Sequence, residues 1–145
     1  MFKTLTRNAF AQIQKKIFPM YFMFGIIMST ISLLTHLYTS PVKSWQQDSL
    51  SLYQTLSISV SLACSLVNYF YFGPATIKMV QIRAQRVTFL GIQDGVGPVN
   101  PKLVEHDFTY REIKKRFIQM HAACTMVNVI CYGASAVNMW CLASK

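Results

Sequence analysis

The sequence predicts an all-α integral membrane bundle in which three transmembrane helices follow an N-terminal amphipathic helix. Three observations lead there. Apolar residues make up 52% of the 145-residue chain and charged residues only 13%, whereas about a quarter of the residues of a soluble domain are charged. Uncharged apolar runs recur at 17–38, 50–73 and 117–142, each long enough at 1.5 Å per residue to cross a hydrocarbon core about 30 Å thick. The basic residues gather in blocks at the ends of these runs, as they do where spans leave the bilayer on its positive side. A net charge of +9 could also mean nucleic acid, but no basic face is interleaved with base-stacking aromatics. The charge therefore reads as topology and as attraction to anionic lipid headgroups.

Residues 1–16 place Phe2, Leu5, Ala9 and Ile13 on one helical face, with Lys3, Arg7 and Lys15 largely elsewhere and no acid among them. This pattern predicts an interfacial amphipathic helix. A mitochondrial transit peptide has the same composition, but the stretch runs into the next span without a Ser/Gly-rich break, which favours an uncleaved anchor. The first span, 17–38, has Pro19 in its expected first turn, where a missing N–H costs little. Lys15 and Lys16 flank one end of it, and Tyr38 and Trp45 mark the other. The second span, 50–73, ends in Tyr69, Phe70 and Tyr71, then Gly73 and Pro74, then Lys78, Arg83 and Arg86. Residues 74–90 are expected to continue as a short basic helix, and 91–101 to form a loop by their Gly, Pro and Asn content. Thr109 with Glu112 is the expected capping box of the last helix, whose segment 117–142 is the third span, with Trp140 at the far interface. Four of the fourteen Lys and Arg lie in residues 1–16 and eight in 74–116, against one in the 39–49 linker. The N-terminus and the 74–116 connection are thus expected to share the cytosolic or matrix side, with the C-terminus opposite.

Within the bilayer, each span carries one polar and small stripe at 100° per residue. Gly25, Ser29, Ser32 and His36 share a face of the first. Gln54, Ser57, Ser61, Cys64, Ser65 and Asn68 share one of the second, and His121, Cys124, Asn128, Cys131, Ser135 and Asn138 one of the third. Small residues let helix backbones approach, and Ser, Asn and His hydrogen-bond across helices. Helix packing or a partner interface at Gly25, Ser29, Ser57, Ser61, Asn68, His121, Asn128 and Ser135 is the favoured reading. Lys3, Arg7, Lys15, Lys16, Lys78, Arg83 and Arg86 are the candidates for lipid headgroup contact. In the alternative reading the stripes line a path or a soft-metal site, with His36, His121 and the cysteines as ligands. His36 and His121 are expected near opposite membrane faces, however, and no acid or base other than histidine stands inside the spans to couple transport. The four cysteines lie in apolar runs without CxxC spacing, so neither disulfides nor zinc are expected. No Ser/His/Asp, paired-carboxylate or HExxH pattern occurs, and the glycines of GIQDGVG fit neither a P-loop nor GxGxxG. No enzyme, cofactor or metal site is expected.

Three stretches resemble the small eukaryotic membrane-protein family named for transmembrane protein 205. They are Lys16-Ile-Phe-Pro-Met-Tyr-Phe22, Asn68 followed by Phe72-Gly-Pro-Ala-Thr76, and Phe117 with His121 and Asn128. The order and approximate spacing agree over nearly all of residues 2–142. The resemblance implies a four-helix membrane bundle without an established enzymatic activity, of which this chain lacks the first helix. A partner helix is then expected to fill the vacated groove, supplied by a second copy, by a subunit of a larger complex or by an upstream exon. The expected role is a non-enzymatic accessory or scaffold subunit contacting other membrane subunits and lipids, with small-molecule or soft-metal transport as the alternative. The acid-free basic N-terminus leans to the mitochondrial inner membrane, ahead of an endomembrane or the plasma membrane.

Overall fold

The computed structural model describes residues 5–40 and 49–144; the expectations placed on Phe2, Lys3, Trp45 and the linker acid lie outside them. Among the described residues the chain is helical and forms no strand. The elements are α1 (Arg7–Thr39), α2 (Ser49–Val67), a π-helical turn (Asn68–Phe72), α3 (Gly73–Phe89), α4 (Pro101–Val104) and α5 (Phe108–Ala143). Three helical runs are long and apolar enough to cross a membrane: α1, Ser49–Phe89 and α5. The fold is an all-α bundle. Contacts divide the chain into two units, Met1–Pro19 with Tyr71–Cys124 and Met20–Phe70 with Thr125–Lys145.

In the first unit, the loop that follows α3 caps the start of α1. A helix N-terminus leaves its first N–H groups without helical partners. Here the Arg7 amide donates to the Gly95 carbonyl at 3.1 Å, that of Asn8 to Asp94 Oδ1 at 3.2 Å and that of Ala9 to Thr6 Oγ1 at 3.4 Å. The Asp94 carboxylate also lies where the helix dipole favours negative charge. The loop can reach back because α3 ends in a Schellman motif. Gly91 takes φ +68°, its amide donates to the Thr88 carbonyl, and that of Ile92 donates to Val87. Ile92 and Leu90 then pack against the core of Val87, Val99, Val104 and Tyr110.

The second unit is polar inside and apolar outside. Of the residues buried on α2, five are Ser51, Gln54, Ser57, Ser61 and Ser65, and Ile58 is the apolar exception. Phe24, Leu34, Phe70 and Met139 are all more than 60% exposed. In water this would forfeit the hydrophobic driving force. In lipid tails it costs nothing to expose Leu and Phe, and the polar groups gain by turning inward.

Three details differ from the sequence expectations. Pro19 lies in the interior of α1, not in a first turn, because residues 7–16 and the first span form one helix capped at Thr6. The last helix starts at Phe108, and its cap is Asp107, whose Oδ1 accepts from the Tyr110 amide at 3.1 Å; the Thr109–Glu112 box is not the cap. Asp is at least as good an N-cap as Thr, and Asp107 is also anchored by an arginine. Finally, Pro101 opens the short helix α4, capped by the Asn100 side chain, within what reads as the end of a loop. The run from the second span into the basic helix does stay helical past Gly73 and Pro74. Pro74 cannot donate to a preceding carbonyl, and the helix widens into a π turn just before it, as helices do where the regular ladder is interrupted.

Candidate functional site

The second unit holds a polar seam. The Asn68 side-chain amide donates to Asn128 Oδ1 at 2.8 Å, and Asn68 is 0% exposed. About two turns back along α2, Ser61 lies with its hydroxyl 3.2 Å from Ser135 Oγ and 3.2 Å from the Cys131 carbonyl. Ser135 also donates to that carbonyl at 2.9 Å, and the Cys131 thiol points back to the Ser61 carbonyl at 3.6 Å. The α2 and α5 stripes therefore meet through Asn68, Ser65, Ser61 and Asn128, Cys131, Ser135.

The α1 segment joins through smaller contacts. A Cβ on Gly25 would stand 3.1 Å from Ser65 Oγ, so glycine is what lets α1 approach α2 there. His36, 4% exposed, has Nε2 at 2.9 Å from Thr55 Oγ1. Tyr21 and Tyr132 meet through their hydroxyls. Ser57 is buried but donates along its own helix to the Gln54 carbonyl, and Ser29 is half-buried.

His121 belongs to the first unit, exposed and stacked on Phe117 with centroids 5.6 Å apart and planes within 8°. Of the basic residues, Lys15, Lys16 and Lys78 are exposed. Arg7, Arg83 and Arg86 are held by the chain itself. Arg7 donates to the Gln93 carbonyl and lies 4.0 Å from Asp94. Arg86 grips Asp107 with two parallel bonds of 2.7 and 3.1 Å, and Arg83 Nε donates to the Tyr110 hydroxyl at 3.2 Å. Lys3 lies outside the described residues.

Chemically, the seam offers amides, hydroxyls and thiols at neutral charge. Among the described residues no three of His, Cys, Asp or Glu come together as a metal site. Periodicity along α2 and α5 could flag Asn68 and Asn128, but not that Thr55 would take His36. Asp94 and Asp107 escaped notice as well. The signal for Asp107 was its place immediately before a long helical run, where Asp caps well. Nothing local marks Asp94, whose partner Asn8 is 86 residues away.

An all-α chain whose described residues include three helical runs long and apolar enough to span a bilayer, with many large apolar side chains exposed and mostly polar ones buried on α2, is an integral membrane protein. Residues 1–85 match the family described as a domain of unknown function, DUF4149, and the chain belongs to that family. The matched stretch carries Gly25, His36, Ser61 and Asn68, one side of the seam; Asn128 and Ser135 lie beyond it. No solved structure matches the chain.

Proposed function

We propose that the protein is a non-enzymatic accessory or scaffold subunit of a larger membrane complex, of the transmembrane protein 205-like type. One observation carries this reading: hydrogen bonds of the seam run from helix to helix. Asn68 on Asn128, Ser61 on Ser135 and His36 on Thr55 are bonds that hold helices in register, at roughly 0.6 kcal/mol a pair. A transport path would instead present such groups to a passing solute. The partners are other membrane subunits or a second copy of the chain, with anionic lipids around them, and no nucleic acid. The mitochondrial inner membrane is the compartment proposed, supported by a basic N-terminal segment with no acid before Asp48.

The experiment compares Ala variants at Ser61, Asn68, Asn128 and Ser135 with the wild type. Each is scored for abundance, for the mass of the particle purified in a mild detergent, and for uptake of a soft metal ion such as Cu(I). The scaffold reading expects losses in abundance and assembly, with uptake per folded molecule unchanged. Folded, fully assembled variants that lose uptake would replace it with a transport function.

A further inference from the structure

The first unit has a half-open pocket of about 940 Å³ that is lined by α1, α3, the loop after α3 and α5. We propose that it binds one anionic amphiphile, a molecule with a carboxylate or phosphate head and an acyl tail, with Arg83 as the residue that takes the head. This stands apart from the scaffold reading, which rests on the other unit.

The size is at the upper end of what encloses a small organic ligand, roughly 300–1,000 Å³. Phe10, Val80, Val87, Ile92, Val99 and Phe117 supply apolar wall, a surface on which an alkyl chain gains by leaving water. The charge on the wall selects the head. Arg7, Arg83 and Asp94 all line the pocket; Asp94 accepts from the α1 amide of Asn8 and lies 4.0 Å from Arg7, whose guanidinium donates to the Gln93 carbonyl. Arg83 is the cation left without a carboxylate: the ion pairs among the described residues are Arg7–Asp94 and Arg86–Asp107.

Arg83 is also held ready. Its Nε donates to the hydroxyl of Tyr110, a residue 3% exposed, and its guanidinium carbon lies 5.6 Å from the Tyr110 ring centre and 5.8 Å from that of Phe117. Those contacts fix the plane of the group. They use Nε and leave both terminal NH2 groups, the pair that forms a fork with a carboxylate or phosphate, without a hydrogen bond to the described residues. An arginine oriented by its inner nitrogen, with its outer nitrogens uncommitted beside an apolar chamber, is built for a head and a tail together. A fatty acid and an anionic phospholipid share that chemistry.

The test uses the full chain reconstituted in phosphatidylcholine nanodiscs. Three probes carry a photoactivatable diazirine on the acyl chain: palmitic acid, phosphatidylglycerol and phosphatidylcholine. Cross-linked peptides are mapped by mass spectrometry. The expected result is labelling of the 80–99 and 117–121 peptides by palmitic acid, by phosphatidylglycerol or by both, with phosphatidylcholine leaving them unlabelled. Palmitic acid alone would assign a fatty acid, and phosphatidylglycerol alone a phospholipid. Arg83→Gln should lower this labelling about tenfold, the size of one lost charge-assisted fork. Lys102→Gln, the same charge change at an exposed position of α4 away from the lining, should leave it unchanged. If Arg83→Gln does not fold, competition in the wild type decides: unlabelled anionic lipid must displace the probe and unlabelled phosphatidylcholine must not. Equal labelling by phosphatidylcholine, wild-type labelling of folded Arg83→Gln, or an equal loss in Lys102→Gln would overturn the proposal.

Discussion

Asp107 does three things with one carboxylate. It caps α5 through the Tyr110 amide, accepts both bonds of the Arg86 fork, and so ties the end of α3 to the start of α5. The Arg86 hydrogen bonds hold its carboxyl below the ordinary carboxylate range, helped by the Tyr110 and Thr109 amides and opposed by burial. A folded pKa below the unfolded one, near 3.9, means that this contribution is fully present above that pH and is lost as pH falls through the folded value. Asp107→Asn should therefore unfold at a lower temperature than the wild type at pH 6, and the gap should close on acidification below about pH 4. Melting curves of the two proteins in detergent across that range test it; a gap that widens with acid would show that the ionised carboxylate is not what stabilises the junction.

Two features of the long helices have local causes with distant effects. The π turn at Asn68–Phe72 precedes Pro74, and the residue that opens it is the buried Asn68 that meets Asn128. Gly25 controls a different contact. A methyl there would sit 3.1 Å from the Ser65 hydroxyl oxygen, a group that can rotate away, whereas a larger side chain has to part α1 from α2. Gly25→Ala should be nearly neutral. Gly25→Leu should cost about 1–3 kcal/mol, the usual range for overpacking. Unfolding in mixed micelles with rising dodecyl sulfate measures both, and a leucine variant as stable as the wild type would mean that the two helices do not need this close approach.

For the whole molecule, the distribution of basic residues predicts that the N-terminus and residues 74–116 face one side of the membrane and the C-terminus the other. Single cysteines replacing Gly95 and Ser144, in a chain freed of its four native cysteines, should react with an impermeant thiol reagent from opposite sides of a sealed vesicle. If both react from the same side, the third hydrophobic segment does not cross. The proposed partner helix belongs to this scale too. A complex or dimer in gentle detergent is the expected form, and a monodisperse, folded 16.5 kDa particle would argue against it.

The spans, the helical continuation past Pro74 and the polar stripe on each helix were legible in the sequence, because hydrophobic length and a 3.6-residue period are properties of consecutive residues. Which stripe residues meet was not. Asn68 takes Asn128 and Ser61 takes Ser135, while His36 turns to Thr55, a residue outside the stripe, and His121 turns to Phe117. Periodicity says which face of a helix is polar; the rotation and axial offset between two helices come only from packing them together. The same holds for the Asp94 cap of α1, whose partners are 86 residues apart, and for the pocket beside Arg83, made by three helices and a loop distant in the chain. Local composition assigned this protein to the membrane, and long-range packing alone decided which of its polar groups satisfy one another and which arginine is left with nitrogens to spare.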